Sequence, residues 1–287
     1  MLKTLSYIWS HPLSRRSRFA ALRRYVRWQL GSRLLRAPAI LPFVHESVLV
    51  VERSMTGATG NVYCGLHEFA DMAFLLHLLR SEDTFVDVGA NVGSYSVLAS
   101  AVVGARSITI EPVLHTFRRL ERNLRVNAIE ARVEAIRCVV GRAEGQIRFS
   151  VDRDTVNQVV GDDYAGESEL LPVKTMDALL SARGPILWKV DVEGFETEVL
   201  SGAEQALRDS KLLAVLLESD SPEIRATMAA AGFVKASYDP FSRGLRESVG
   251  AAEPDRFRHN NLWVRDLAQV RARCGSARRF TVLNSQF

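Results

Sequence analysis

Thr84-Phe-Val-Asp-Val-Gly-Ala-Asn-Val-Gly-Ser-Tyr95 reads as a short apolar strand that delivers Asp87, then a glycine turn, then a helix opening near Val92. Gly89 and Gly93 let the turn's backbone approach a ligand closely, and the new helix presents unpaired N–H groups there. Glu111 follows 22 positions after Gly89, at the end of the next apolar strand, Ser107-Ile-Thr-Ile110. A carboxylate at that spacing is placed to accept hydrogen bonds from ribose hydroxyls. The dinucleotide fingerprint G-x-G-x-x-G is absent, because Asn91 stands where its second glycine belongs, which disfavours a NAD-dependent enzyme. A phosphate ligand is disfavoured too, since the turn holds no Lys or Arg and two carboxylates flank it.

Outward from this turn, strands and helices alternate. Phe69, Met72, Leu76 and Leu79 recur at helical spacing just before it. Strand 84–88 leads to helix 92–103, strand 107–111 to helix 115–127, and strand 133–140 to a polar, glycine-spaced excursion over 141–172. A short helix from Met176 to Leu180 follows, then strand 186–190, helix 197–207, strand 212–217, helix 222–231 and a final strand, Asn261-Leu-Trp-Val-Arg265. Such alternation implies a mostly parallel sheet with helices on both faces and a ligand beyond the carboxyl ends of the strands. Asp87, Glu111, Asp191 and Glu218 all fall at that end of their strands. Upstream, Ser47–Arg53 and Asn61–Cys64 read as strands around a glycine-bearing turn over 56–60.

A chain of 287 residues, 47% hydrophobic and 24% charged, can bury a sizeable core and is not that of a disordered protein. Its charge is uneven. Residues 1–36 hold nine Lys or Arg and no acid, and subtracting those from the overall +4 leaves −5 on residues 37–287. The basic balance therefore describes an arm on a mildly acidic body, not a nucleic-acid-binding surface. Phe19, Leu22, Val26, Leu30 and Leu34 predict a helix over 16–35. Its apolar face is expected to pack on the body or on a second subunit, the alternative being contact with an anionic membrane. No apolar run approaches the ~18 residues of a membrane span and no secretory signal is visible. Cys64, Cys138 and Cys274 are odd in number and outside any C-x-x-C pair, which argues against disulfides and structural zinc and suits a cytoplasmic setting. The expected organisation is a basic helical segment over 1–45, an α/β domain over 46–270 and a tail over 271–287.

A second constellation is Trp188-Lys-Val-Asp-Val-Glu-Gly-Phe-Glu196, a buried strand that ends in Asp191 and Glu193 before Gly194 turns into a helix. Glu196 and Glu198 in that helix's first turn offset its dipole and are read as structural. Asp191 and Glu193 are costly to place at the mouth of a sheet without a task. Lys189, two residues from Asp191 on the same side of the strand, is a partner for one of them. With Glu218 the pair could hold a divalent cation, but carboxylates bind hydroxyls equally well and no metal is assigned. His67 and Glu68, before the first core helix, are candidates to contact a ligand. No serine or cysteine nucleophile signature is present.

The D-x-G-x-N-x-G pattern from Asp87 to Gly93 resembles the first motif of class I S-adenosylmethionine (SAM) methyltransferases. From Phe85 to Ala203 the chain resembles the FkbM methyltransferase family. The match includes Glu111-Pro112, the helix ending Asn123-Leu-Arg-Val-Asn127, Val173-Lys-Thr-Met-Asp177 and, most diagnostic, Lys189-Val-Asp-Val-Glu-Gly-Phe-Glu-Thr-Glu-Val-Leu-Ser-Gly-Ala203. The resemblance implies a Rossmann-like domain with a seven-strand sheet that transfers methyl from SAM to oxygen, frequently on sugars or secondary metabolites. Asp87, Gly89, Asn91, Gly93, Glu111 and Glu68 are then the cofactor candidates, and Asp191, Glu193 and Lys189 the catalytic ones. Asp191 is the base or hydroxyl-orienting group, with Glu193 its substitute. One departure is Arg142, which stands where the family often has an acid near the adenine. The acceptor expected is a carbohydrate or glycan hydroxyl; the alternatives are a polyketide or other small metabolite, or a noncatalytic binding or membrane-surface module. Tyr164, Tyr238, Phe241 and Arg243, in the 141–172 and 236–260 segments, are expected to line the acceptor cleft.

Overall fold

The computed structural model describes residues 2–15, 17–35, 37–53, 55–151, 159–161, 164–248 and 260–287. Its main sheet has eight strands: β1 (Thr84–Val88), β2 (Arg106–Ile110), β3 (Val133–Ile136), β4 (Leu187–Val190), β5 (Ala214–Leu217), β6 (Val234–Asp239), β7 (Gly244–Glu247) and β8 (Asn261–Val264). They lie in the order β7-β6-β8-β5-β4-β1-β2-β3. β3, β2, β1, β4 and β5 are parallel, β8 runs antiparallel between β5 and β6, and β7 pairs antiparallel with β6. The chain builds from β1 outward to β3, then crosses back to β4 on the other side of β1. The crevice where the order reverses lies at the carboxyl ends of β1 and β4.

Six of these strands were expected along the chain, β6 completes the seven-strand Rossmann-like sheet where no strand was read, and β7 is an addition. Asp239 makes it: its carboxylate accepts from the Phe241 N–H at 3.1 Å and the Ser242 hydroxyl at 2.6 Å, closing a tight turn between β6 and β7. The central strands read as unbroken apolar runs because both faces are covered. Phe85, Leu187, Ala214 and Leu216 face one core, and Val86, Val88, Trp188, Val190, Val215 and Leu217 face the other.

On the first face lies helix Phe69–Leu78, every residue of which is buried. Two of its residues are polar. Asp71 accepts from the Asn260 backbone and side chain, and His77 Nδ1 meets the Tyr238 hydroxyl at 2.6 Å. Helix Leu267–Ser276 covers the same face, and the chain continues through a hairpin of Thr281–Val282 with Ser285–Gln286, burying Phe280 and Phe287. Residues 271–287, expected as a tail, are thus folded.

Several local expectations are corrected. Asn61–Cys64 is not a strand but the end of a helix, Thr56–Cys64. Val62 and Tyr63 suggest a strand by type, but tertiary packing overrides that preference: a Cβ on Gly60 would lie 2.4 Å from the His67 ring, so the helix needs glycine there. The expected strand 133–140 is cut in two. After β3 the chain leaves the sheet, and Val139–Val140 joins a separate three-stranded sheet with Gly145–Ser150 and Ser168–Lys174. The polar excursion over 141–172 is therefore largely a β-hairpin; its residues 152–158 and 162–163 lie outside the described ones. Helix 92–103 is α over Ser94–Val97 and widens into a π turn over Leu98–Val103.

The basic arm forms two helices, α1 (Leu2–Ser10) and α2 (Arg18–Leu35), which pack on helix Thr56–Cys64 through Ile8, Ala21, Tyr25 and Trp28. The Arg24 guanidinium donates to the Tyr63 carbonyl at 3.0 and 2.8 Å. The arm does pack, but of the expected face only Leu22 turns inward, beside Tyr25 and Trp28. Phe19, Val26, Leu30 and Leu34 point outward, 80%, 51%, 56% and 82% exposed.

Candidate active site

At the carboxyl ends of β1, β2 and β4 lies a cavity of about 300 Å³. Its floor is the glycine turn. The Gly89 and Ala90 N–H groups both donate to the Ile110 carbonyl at 3.0 Å, which ties the turn to β2. Asn91 is left-handed at φ 53° and points its N–H at Glu111 Oε2, 3.0 Å away. Glu111 Oε1 accepts from the Val113 N–H at 3.0 Å. Gly89 is required for a reason other than ligand approach: at φ 76° its Cβ would sit 1.8 Å from the Asp191 carbonyl oxygen. β1 and β4 pinch together there. Gly93, at φ 82°, leaves room for Leu120 Cδ1 in the same way.

Register then assembles the charged groups. Asp87 on β1 is the direct neighbour of Lys189 on β4, and Asp191 follows Lys189 by two positions on the same face. The Lys189 ammonium donates to Asp191 Oδ2 at 2.7 Å and lies 4.9 Å from the centre of the Tyr95 ring. The Tyr95 hydroxyl in turn donates to Glu68 Oε2 at 2.5 Å. Burial pulls the Lys189 ammonium down, but Asp191, Glu68 and Asp87 outweigh it and hold its pKa above the ordinary value.

Asp87 is buried below the turn and is not among the lining residues. Its Oδ2 accepts from the Ser96 hydroxyl at 2.7 Å, while Oδ1 has no hydrogen-bond partner among the described residues. Burial pushes its carboxyl up to about 6, against the pull of Lys189. Glu111 is raised further, to about 7, by burial that its two backbone N–H donors only partly offset.

Asp191, Glu193 and Glu218 bring oxygens within 4.8 Å of one another. Burial and the Asp191 charge push Glu218 up to about 8, and burial with the same charge raises Glu193. Glu196 is buried beneath them, accepting from the Gly194 N–H at 3.3 Å and the Ser219 hydroxyl at 2.8 Å. Arg142, the departure from the family pattern, faces away from the cavity and pairs with Glu198 at 2.9 Å.

Of the expected site residues, Gly89, Asn91, Glu111, Glu68, Lys189, Asp191 and Glu193 line the cavity; Asp87 and Gly93 stand behind its wall. The proposed acceptor residues do not converge there. Tyr238 is hydrogen-bonded to His77 in the core, Phe241 packs tilted against Phe69, and Arg243 donates to the Gly275 and Ala277 carbonyls. Tyr164 is not a lining residue, and residues 249–259 of the second segment lie outside the described ones. Sequence reasoning missed Tyr95, Phe149 and Phe195, which supply the aromatic surface of the cavity. Tyr95 closes the diagnostic turn itself, so its position was a usable signal. Phe149 and Phe195 carried none.

The lining residues include four carboxylates, Glu68, Glu111, Asp191 and Glu193, against a single Lys and no Arg. Such a cavity suits a cationic ligand and repels phosphates. SAM fits it: Glu111 for the ribose, apolar Val113, Val139 and Phe149 for a base, and an acidic wall for the ammonium and sulfonium.

Comparison with known proteins finds likenesses to a family, to a curated relative and to solved structures. Residues 87–235 match the family described as "Methyltransferase FkbM domain". The hexuronic acid methyltransferase AglP of Haloferax volcanii is 30% identical over 146 residues, covering 49% of this chain. The chain spans 58% of that relative's length. Among solved structures, methyltransferase FkbM from Methylobacillus flagellatus KT is 20% identical with a TM-score of 0.46, covering 72% of this chain and 52% of that one. P. horikoshii TYW2 in complex with MeSAdo is 22% identical with a TM-score of 0.29, covering 35% of each.

Proposed function

The chain belongs to the FkbM methyltransferase family, and from that premise we propose that it is a SAM-dependent O-methyltransferase acting on a hydroxyl of a carbohydrate or glycan. The observation that carries the reading is the excess of carboxylates around a cavity at the sheet's switch point, with Lys189 the single Lys or Arg among the described lining residues. The hexuronic acid methyltransferase among its relatives supports a sugar-type acceptor.

SAM supplies a methyl group already activated on a sulfonium sulfur. The protein must align the acceptor oxygen behind that carbon and take one proton. Glu111, its outer lone pairs left free by the Asn91 and Val113 N–H groups, holds the ribose diol. Asp191, on the wall and fixed by Lys189, would accept the hydroxyl proton as the methyl carbon bonds to oxygen and its bond to sulfur breaks. Glu193 and Glu218 surround it with further acceptors that orient a polyhydroxylated substrate. Tyr95 covers the Lys189 side of the ion pair. The setting proposed is the cytoplasm, with peripheral contact at an anionic membrane through residues 1–36; the three cysteines are buried and free, as a reducing compartment requires.

Calorimetric titration with SAM, S-adenosylhomocysteine and NAD tests the cofactor. Binding of the first two and not the third is expected. NAD binding alone overturns the reading. Mass analysis of methyl addition to uronic acids, neutral sugars and polyketide alcohols then tests the acceptor, and transfer only to the last class refutes the carbohydrate assignment.

A further inference from the structure

Helix α2 offers a surface that no other described residue covers. Between Arg18 and Leu34 the exposed side chains are Arg18, Phe19, Arg23, Val26, Arg27, Leu30, Arg33 and Leu34: four arginines and four large apolar groups, and nothing else. On a helical projection Phe19, Val26, Leu30 and Leu34 form one stripe, with Arg23, Arg27 and Arg33 in it and along its borders. At its amino-terminal end Trp9 of α1 stands exposed, edge-on to Phe19 at 5.9 Å and with the Arg18 guanidinium 5.1 Å from its ring centre. Six of the ten large apolar side chains exposed among the described residues lie between Trp9 and Ile40, so this is where the molecule's bare apolar surface concentrates.

We propose that this face of α2, with Trp9, docks on an anionic lipid bilayer. Arginines bordering an exposed apolar stripe match such a surface in both respects. The apolar groups enter the headgroup boundary, the guanidinium groups reach lipid phosphates, and an interfacial Trp sits at the same level. Charge decides against a second copy of the face. No carboxylate occurs before Glu46, so a symmetric contact would set Arg23, Arg27 and Arg33 against one another. Charge also orients the docked molecule, because the −5 body is repelled by the surface that attracts the arm. The inner side of the arm reaches the cavity wall: the Tyr7 hydroxyl donates to the His67 carbonyl at 2.5 Å, and His67 lines the cavity beside Glu68. Docking would therefore hold the site near the bilayer. The inference rests on and deepens the peripheral contact proposed above, assigning it to one face of α2 with Trp9, and is independent of the methyl-transfer reading.

The test is cosedimentation of the full chain with vesicles of phosphatidylglycerol and phosphatidylcholine, and with phosphatidylcholine alone. Binding to the mixed vesicles only is expected, falling as salt rises and the screening length shrinks from about 10 Å at 0.1 M to about 3 Å at 1 M. Each arginine near an anionic surface contributes about a factor of five, so R23Q/R27Q/R33Q should lower partitioning by about two orders of magnitude. L30S/L34S should lower it about tenfold or more. All five side chains are exposed, so both variants should keep the parent's melting temperature and SAM affinity. Those two readouts separate failure of the docking surface from failure of the cofactor reading. The proposal is overturned if the parent ignores mixed vesicles at low salt, or if both variants bind as the parent does. It is also overturned if the substitutions instead dissolve a dimer seen by light scattering.

Discussion

Replacing Glu111 by glutamine should change how SAM affinity depends on pH. The carboxyl is raised from its ordinary 4.5 to about 7 by burial, and it accepts one backbone N–H on each oxygen. Ribose hydroxyls donate to the ionised form, so at lower pH binding must first expel a proton. With a free-state value near 7, affinity should fall about twofold at pH 7, about tenfold at pH 6 and about a hundredfold at pH 5. Asp87, raised to about 6, steepens the fall only below that point. The amide introduced by E111Q cannot ionise, and one of its ends must present N–H where Glu111 accepts. The variant should therefore bind more weakly on the plateau by about 1–3 kcal/mol, roughly 5- to 150-fold, and lose the slope between about pH 6 and pH 8. Titration calorimetry across that range, in buffers of differing ionisation heat, reads both the affinity and the proton released. A parent whose affinity is flat from about pH 5 to pH 8, or a variant that keeps the parent's slope, refutes the reasoning.

Without ligand, the same carboxyl has the opposite sign. Its folded value lies above its unfolded one, so its stability contribution is whole below about pH 4.5 and is lost as pH rises through about 7. In urea unfolding, E111Q should gain on the parent by roughly 3 kcal/mol between about pH 5 and pH 8; a constant difference would count against a raised value. His77, depressed to about 4 by burial, favours stability in the other direction, being present above its ordinary 6.5 and lost as pH falls, so only the difference between the two proteins is informative. Asp191→Asn should reduce turnover by ~10²-fold or more, with a much smaller loss of SAM affinity as one charge leaves the acidic wall, measured by single-turnover methyl transfer; near-normal turnover would move the role to Glu193. Turnover should survive a chelator. Loss on chelation with recovery in Mg²⁺ would instead make Asp191, Glu193 and Glu218 cation ligands. Gly60→Ala should displace the His67 ring, which a Cβ would meet at 2.4 Å, and lower stability by about 1–3 kcal/mol with weaker SAM binding; an unchanged melt and affinity would show that the wall yields freely.

Strand ends were legible because a central parallel strand is apolar on both faces and its first polar residue marks the mouth of the sheet. That rule placed Glu111, Asp191 and Glu218 without coordinates. It also put Lys189 and Asp191 on one face, where they form an ion pair. The turn's glycines were readable as necessary, but not why: Gly89 makes room for the Asp191 backbone, a contact 102 positions away in the chain. Such reasons are tertiary and leave no periodic trace. For the same cause Asn61–Cys64 looked extended when the His67 ring and Tyr7 hold it helical, and Tyr238 looked like a cleft residue when it belongs to the core. The arm's helix was visible from its spacing, whereas which side met the protein was not. Leu and Phe point inward by type, but Arg24, Tyr25 and Trp28 make the better fit to the Tyr63 region.

The contact between Gly89 and Asp191 makes two parts of the site mechanically inseparable. The turn that cradles the cofactor and the strand end that carries the proposed base touch backbone to backbone, with no side chain between them to act as a cushion. Neither can drift without moving the other, so main-chain geometry sets where the Asp191 side chain starts, and its ion pair with Lys189 sets where the carboxylate ends. Substitutions in the acceptor pocket can then accumulate freely while reach and angle stay constant. Under the proposed reading, a scaffold of that kind could change its acceptor without rebuilding its chemistry.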